Sequence, residues 1–215
     1  MQFSEKITFD IHLIFALIVV MAAGALILLI IFLRNGYLLE FDQAILHWFH
    51  KMKSPTLDYF FSTITWLGSL WVLLPLYIVL TLLLSQHFEH FEKILGIGFW
   101  GSVLTTYALK YELDRKRPHF FPTINELPID PSFPSAHTTQ IVAFTLLIWL
   151  IVYHAPTLFG NLLTGTLVFI ALGVSLSRMY LQVHYPSDVI AGGLIAIIWS
   201  FLTVWVIKSN SGVFT

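Results

Sequence analysis

Six apolar stretches, Ile11–Leu33, Phe61–Leu84, Ile94–Leu109, Thr139–Val152, Leu162–Leu176 and Val189–Ile207, leave this chain few ways to fold. Crossing the hydrocarbon of a bilayer takes about 20 residues of helix. Lipid offers backbone groups no partners, so runs of this kind must satisfy their own N–H and C=O groups, which a helix does. The third, fourth and fifth stretches are short as written and reach that length by borrowing flanking residues. Only 11% of the chain is charged, against roughly 25% in an ordinary soluble domain. The expected fold is therefore all-α: a polytopic membrane protein with six transmembrane helices in a bundle, residues 1–215 forming a single domain. Met1–Asp10 has no cleavable-signal pattern and Ile11–Leu33 is too long for a signal core, so it is read as a span.

A formal net charge of -1 gives no global pull toward nucleic acid, so any anion site must be built locally. The absence of cysteine excludes disulfides, thiolate metal sites and cysteine nucleophiles. Between the first two spans, Phe41, Ile45, Trp48 and Phe49 recur at helical spacing within Glu40–Lys51, which reads as an interfacial amphipathic helix. His47 and His50 lie on its polar edge without further obvious ligands and read as surface histidines. Pro75 is expected to kink the second span. Gly96-x-Gly98-x-x-Gly101 matches a nucleotide-binding pattern formally, but no strand or crossover unit surrounds it. Its small residues read instead as places of close helix approach, as do Gly192 and Gly193.

Polar chemistry gathers at three places. Between Tyr111 and Ser135 fall Pro118, Pro122, Pro128, Pro131 and Pro134, five of the nine prolines, together with a cluster of charges. A long irregular loop of this kind is usually functional or disordered. No Asp, Glu, Lys or Arg then occurs from Pro131 to Ser177. Two crossings separate the loops after the third and fifth spans, so both lie on one membrane face and their side chains can meet. The first cluster is Lys110 with Arg117-Pro118, whose spacing puts both cations on one side if the helix runs on through two turns. Snorkelling at a helix end would look the same. The second is Pro134-Ser135-Ala136-His137, with Ser135 as a natural N-cap; a helix N-terminus suits a phosphate, although an ordinary capped helix reads alike. The third holds Arg178, His184 and Asp188: a planar fork of donors, an imidazole able to act as nucleophile or acid/base, and a carboxylate that can fix its tautomer. An interfacial salt bridge would explain the third cluster alone, but not three clusters on one side.

Together, Lys110-x6-Arg117-Pro118, Pro134-Ser135-Ala136-His137 and Ser177-Arg178-x5-His184-x3-Asp188 resemble the three-part signature of the type 2 phosphatidic acid phosphatase (PAP2) superfamily. Phe41-Asp42 and Leu67-Gly68-Ser69 also resemble small bacterial members. Ala136 stands where the family usually has glycine; a helical backbone there makes the alanine harmless. The resemblance implies that His184 is the nucleophile, that Asp188 holds its other nitrogen, and that His137 is the general acid and then the base. Lys110, Arg117, Arg178, Ser135 and the amides around Ala136 would cradle the phosphate, without metal or cofactor. It implies a membrane lipid phosphate or pyrophosphate as substrate, undecaprenyl pyrophosphate or phosphatidylglycerol phosphate foremost. Lipid-to-lipid phosphotransfer, including action on lipid A, and non-enzymatic lipid transport are the alternatives.

The resemblance also implies a bacterial cytoplasmic membrane with the active site on its periplasmic or extracellular face. That leaves Lys6, Lys93 and Lys208 inside, with Arg34, Lys51, Lys53, Lys110, Arg115, Lys116, Arg117 and Arg178 on the other side. This distribution is opposite to the positive-inside tendency. Cations retained for catalysis and substrate capture would account for it.

Overall fold

The computed structural model describes residues 2–86, 90–121, 127–153 and 157–211; Pro122 lies outside the described residues. Every regular element in them is helical: α1 Gln2–Arg34, α2 Leu39–Lys51, α3 Pro55–Ile64, a 3-10 turn Thr65–Gly68, α4 Leu70–Leu84, α5 Phe91–Leu113, α6 Ala136–Val152, α7 Leu158–Tyr180 and α8 Pro186–Ser211. Each of the six apolar stretches falls on a helix or pair of helices. Three segments are long and apolar enough to cross a membrane, Leu13–Arg34, Leu158–Tyr180 and Pro186–Ile207. Pro55–Gly68 with Leu70–Leu84 makes a fourth that is bent by 46°. The helix α6 is apolar but only 17 residues long, and α5 carries Glu92, Lys93, Lys110 and Glu112 toward its ends.

The bundle is arranged around α6, which packs against α4, α5, α7 and α8, while α1 lies outside against α8. Most of α6 is buried, Ile141, Phe144, Leu147 and Ile148 almost completely. A helix enclosed on all sides has no need of a polar face, which is why its sequence is apolar all round. Around it pack Leu95, Phe99 and Val103 of α5, Leu167 and Val174 of α7, and Phe201 and Val204 of α8. On the periphery Leu17, Val20 and Met21 of α1 and Leu158, Phe159 and Phe169 of α7 are exposed, as a lipid-facing surface requires.

Small residues do permit close approach, but unequally. A Cβ at Gly101 would fall 2.3 Å from the Trp199 ring, and one at Gly192 would fall 2.8 Å from the Ser135 carbonyl oxygen, where α8 crosses the start of α6. Gly193 faces open space.

The second apolar stretch breaks at Gly68–Ser69, where Ser69 turns extended (ψ 151°), and Pro75 sits inside α4. The Glu40–Lys51 segment falls on helix α2, which buries Asp42, Leu46 and Phe49 against the protein. Phe41 and Trp48 are exposed. Asp42 is buried because it finds a cation and hydroxyl partners in the body of the protein, described below, a compensation that apolar periodicity cannot register. His50 stacks on Phe121 at 4.0 Å between ring centres.

Candidate active site

At one end of the bundle a cavity of about 510 Å³ is lined by Lys110, Arg117, Asp130, Ala136, His137, Gln140, Arg178 and His184, with Ser69, Leu70, Trp71, Leu74, Tyr107 and Pro128 completing its wall. All three clusters singled out in the sequence thus meet around one space. Among the described residues no group of three or more His, Asp or Glu side chains gathers as a metal ion would require.

Lys110 and Arg117 meet by a route other than the one expected. The helix α5 stops at Leu113, and Asp114 leaves it with a left-handed backbone (φ 41°), so Arg117 lies in the following loop. Asp130, further along the chain, joins them. One carboxylate oxygen lies 2.8 Å from Lys110 Nζ and the other 2.8 Å from Arg117 Nη2. Arg117 Nε donates to the Asp130 carbonyl at 3.0 Å, and Lys110, wholly buried, donates to the Pro131 carbonyl. Burial lowers the Arg117 pKa, while the charge of Asp130 opposes the shift. Burial acts to raise that of Asp130, but the hydrogen bonds and charges of Lys110 and Arg117 outweigh it and hold the carboxyl below the usual range.

Ser135 occupies the N-cap position of α6 without a capping bond from its side chain. Its hydroxyl accepts instead from Thr138 at 3.0 Å. It is fully buried, and the neighbouring Ala136 and His137 line the cavity in its place. Ala136 opens the helix and is not among the residues with positive φ, so the alanine sits there without strain. The Ser135 amide donates to the Asp188 carbonyl at 3.0 Å, joining the start of α6 to the start of α8.

Between α7 and α8 the chain turns tightly through Gln182 (φ 60°), and the amides of Val183 and His184 return to the Arg178 carbonyl. This turn sets His184, 2% exposed, with Nδ1 3.4 Å from Asp188 Oδ2 and 3.5 Å from Ser132 Oγ. Its Nε2 lies 3.2 Å from Arg117 Nη1. Burial, then the charges of Arg117, Arg178 and Lys110, push the His184 pKa well below its ordinary 6.5, so the ring is neutral at physiological pH. Arg178 comes from the last turn of α7 and donates to Thr65 Oγ1 at 2.7 Å. Its Nε is buried without a hydrogen-bond partner, leaving a donor for an arriving anion. The break between α3 and α4 is what brings Thr65 and Ser69 to the site.

Several participants were not singled out from the sequence. Asp188 accepts from Ser132, from the Tyr185 amide at 2.9 Å and from Arg115. Arg115 also pairs with Asp42 at 2.6 Å. Asp42 in turn receives the Ser187 amide at 3.0 Å and the Ser187 hydroxyl at 2.7 Å. For Asp42 the signal is the resemblance of Phe41-Asp42 to small bacterial members, as Leu67-Gly68-Ser69 is for Ser69. Asp130 gave none beyond its place in the proline-rich loop.

A buried imidazole backed by a carboxylate thus shares one cavity with three cations, and the chain as a whole can be compared with known proteins. The family model for the PAP2 superfamily matches residues 91–211, more than half of the chain. The chain belongs to this superfamily and is a PAP2-type phosphatase. It is 29% identical over 168 residues to phosphatidylglycerophosphatase B of Bacillus subtilis (strain 168), covering 75% of this chain and 80% of that protein. It is 30% identical over 131 residues to undecaprenyl-diphosphatase BcrC of the same organism, covering 58% and 63% respectively. Among solved structures, the transmembrane PAP2 type phosphatidylglycerolphosphate phosphatase of Bacillus subtilis superposes with a TM-score of 0.78 at 25% identity, over 89% of this chain and 96% of that one.

Proposed function

We propose that this protein is a metal-independent membrane lipid phosphatase that works through a phosphohistidine on His184. The observation that carries the reading is the orientation of that imidazole: Nδ1 is turned to Asp188, and Nε2 to the cavity side, where Arg117 stands. Carboxylate acceptance at Nδ1 selects the tautomer whose Nε2 carries no proton. Nε2 attacks phosphorus as the bond to the leaving oxygen breaks, and His137 supplies the proton that oxygen takes up. Asp188 stabilises the positive charge that develops on the ring. Water then attacks phosphorus, giving its proton to His137, and the P–N bond breaks to release phosphate. Lys110, Arg117, Arg178 and the first-turn amides of α6 at Ala136 and His137 stabilise charge on the equatorial oxygens. Ser135 supports that turn from behind.

The substrate is a lipid phosphate or pyrophosphate. Leu70, Trp71 and Leu74 of α4 give the cavity an apolar wall, along which a tail can stay in the membrane while its headgroup reaches the cations. Phosphatidylglycerol phosphate and undecaprenyl pyrophosphate are the leading candidates, supported by the two Bacillus relatives. In this reading α1, the α3–α4 pair, α5, α6, α7 and α8 make six crossings and α2 lies along the interface. The site opens on the outer face of the bacterial cytoplasmic membrane.

The test is phosphate release by purified protein in detergent with EDTA present, across those two lipids, phosphatidate, a lipid A phosphate and water-soluble esters, with His184→Ala in parallel. Release that survives EDTA and is abolished in His184→Ala is expected. Strict dependence on Mg²⁺, or near-normal turnover by His184→Ala, overturns the mechanism. Appearance of the phosphoryl group on a second lipid in place of free phosphate assigns the protein to phosphotransfer.

A further inference from the structure

We infer that Arg115 is a positioning residue for this reaction: its guanidinium, anchored by Asp42 of α2, holds Asp188 in place behind His184. The inference rests on the reading of His184 and Asp188 given above and adds two residues to it.

Asp188 is fully buried, and so is Asp42. A carboxylate in such surroundings needs a cation or several hydrogen bonds. Arg115 serves both acids at once, with Nη1 on Asp188 and Nη2 on Asp42 at 2.6 Å. Ser187 lies between them, its hydroxyl accepting from Arg115 at 2.8 Å and donating to Asp42. The guanidinium lies 3.8 Å above the Tyr185 ring, which fixes its plane. A fork held at both tines and on one face has little freedom to turn, and this rigidity passes to Asp188. Arg115 does not line the cavity that holds His184 and Arg178; it opens instead on a separate hollow formed with Arg34, Glu112, Lys116 and Tyr185. Its action on the reaction is therefore through Asp188, not on the phosphate.

A role in positioning and a role in stability give different results in a double variant. Arg115→Met alone leaves two buried carboxylates facing each other around Ser187 and lowers Tm. Arg115→Met combined with Asp42→Asn removes the cation and one acid together, and much of the Tm returns. Loss of the hydrogen-bonded partner that orients a metal ligand typically costs about 10–100-fold, and a loss of the same order is expected for a partner that orients Asp188. Accordingly kcat falls by about that factor in the single variant and stays low in the double, with KM within about threefold, because the phosphate cradle is untouched. Arg115→Lys, which keeps the charge but cannot fork between two acids, folds and shows an intermediate kcat. The assay is phosphate release in detergent alongside thermal unfolding, with His184→Ala measured in the same series. Recovery of kcat together with Tm in the double variant, full kcat in Arg115→Lys, or a loss confined to KM overturns the inference. If His184→Ala turns over normally, the underlying mechanism fails. If it is inactive while the Arg115 variants run at full rate, only the role of Arg115 falls.

Discussion

The carboxylate of Asp130 lies 2.8 Å from the Arg117 guanidinium, and its second oxygen reaches Lys110 at the same distance. Asp130 thus occupies two of the three cations assigned to phosphate, in the manner of a small internal anion. A phosphate entering the cavity competes with it. Asp130→Asn keeps the shape and removes the charge, so inorganic phosphate is expected to inhibit lipid hydrolysis at a concentration roughly tenfold lower, about 1.4 kcal/mol. Inhibition constants in detergent decide it. Weaker inhibition in the variant would mean that Asp130 organises the cations for phosphate instead of competing with it.

The neutrality of His184 sets a pH dependence. Its folded pKa is pushed well below 6.5, by burial first and then by the neighbouring cations. The ring therefore stays unprotonated below the ordinary imidazole range, and with His184 as the proposed nucleophile the acid limb of kcat/KM against pH is expected below pH 6.5. The unfolded chain binds this proton more readily than the folded one. Stability therefore falls as pH drops below about 6.5, and this contribution is constant above it. A pH–rate profile and Tm measured across the same buffers test both. An acid limb at or above 6.5 contradicts the neutral nucleophile.

Two adjacent glycines are expected to behave differently. At Gly192 an added methyl meets the Ser135 carbonyl at 2.8 Å, a backbone atom that cannot swing aside, whereas at Gly193 nothing lies within 4 Å. Gly192→Ala is expected to cost about 1–3 kcal/mol, the usual range for overpacking, and Gly193→Ala close to nothing. Thermal unfolding of the two variants in detergent compares them directly. Equal Tm values would show that α8 does not press on the start of α6.

Orientation is testable through Ile129, fully exposed at 105% in the loop beside the cavity. The chain has no cysteine, so Ile129→Cys is a single reporter. Reaction with a membrane-impermeant maleimide in intact cells is expected. Protection until the cells are permeabilised would turn the site to the cytoplasm.

Much of the site is legible because its residues lie in short segments whose spacing survives in one dimension: Arg178, His184 and Asp188 within eleven residues, and His137 at a helix start. The apolar stretches located the helices for a similar reason, since a lipid-facing or enclosed helix must be apolar along its whole length. The break at Ser69 was hidden because the residues around it, Trp66, Leu67, Leu70 and Trp71, are as apolar as those in the helices. Nor does the expected helical continuation from Lys110 to Arg117 exist: Asp114 turns the chain out, and Asp130 supplies the junction from 13 residues beyond Arg117. The inward turn of Asp42 leaves no trace in α2 because its partner, Arg115, lies 73 positions away. Burial of a charge is decided by its partner, and partners at that distance leave no periodic trace.

The backbone bond from the Ser135 amide to the Asp188 carbonyl has a mechanical consequence. It ties the segment bearing His137 to the one bearing His184 through main chain, not through side chains that can rotate. Helices in a bilayer tilt to match its thickness, and such tilting is expected to move the far ends of α6 and α8 more than the ends joined by this bond. On the proposed mechanism, the spacing of His137 and His184 is therefore expected to change little when the bilayer thickness changes.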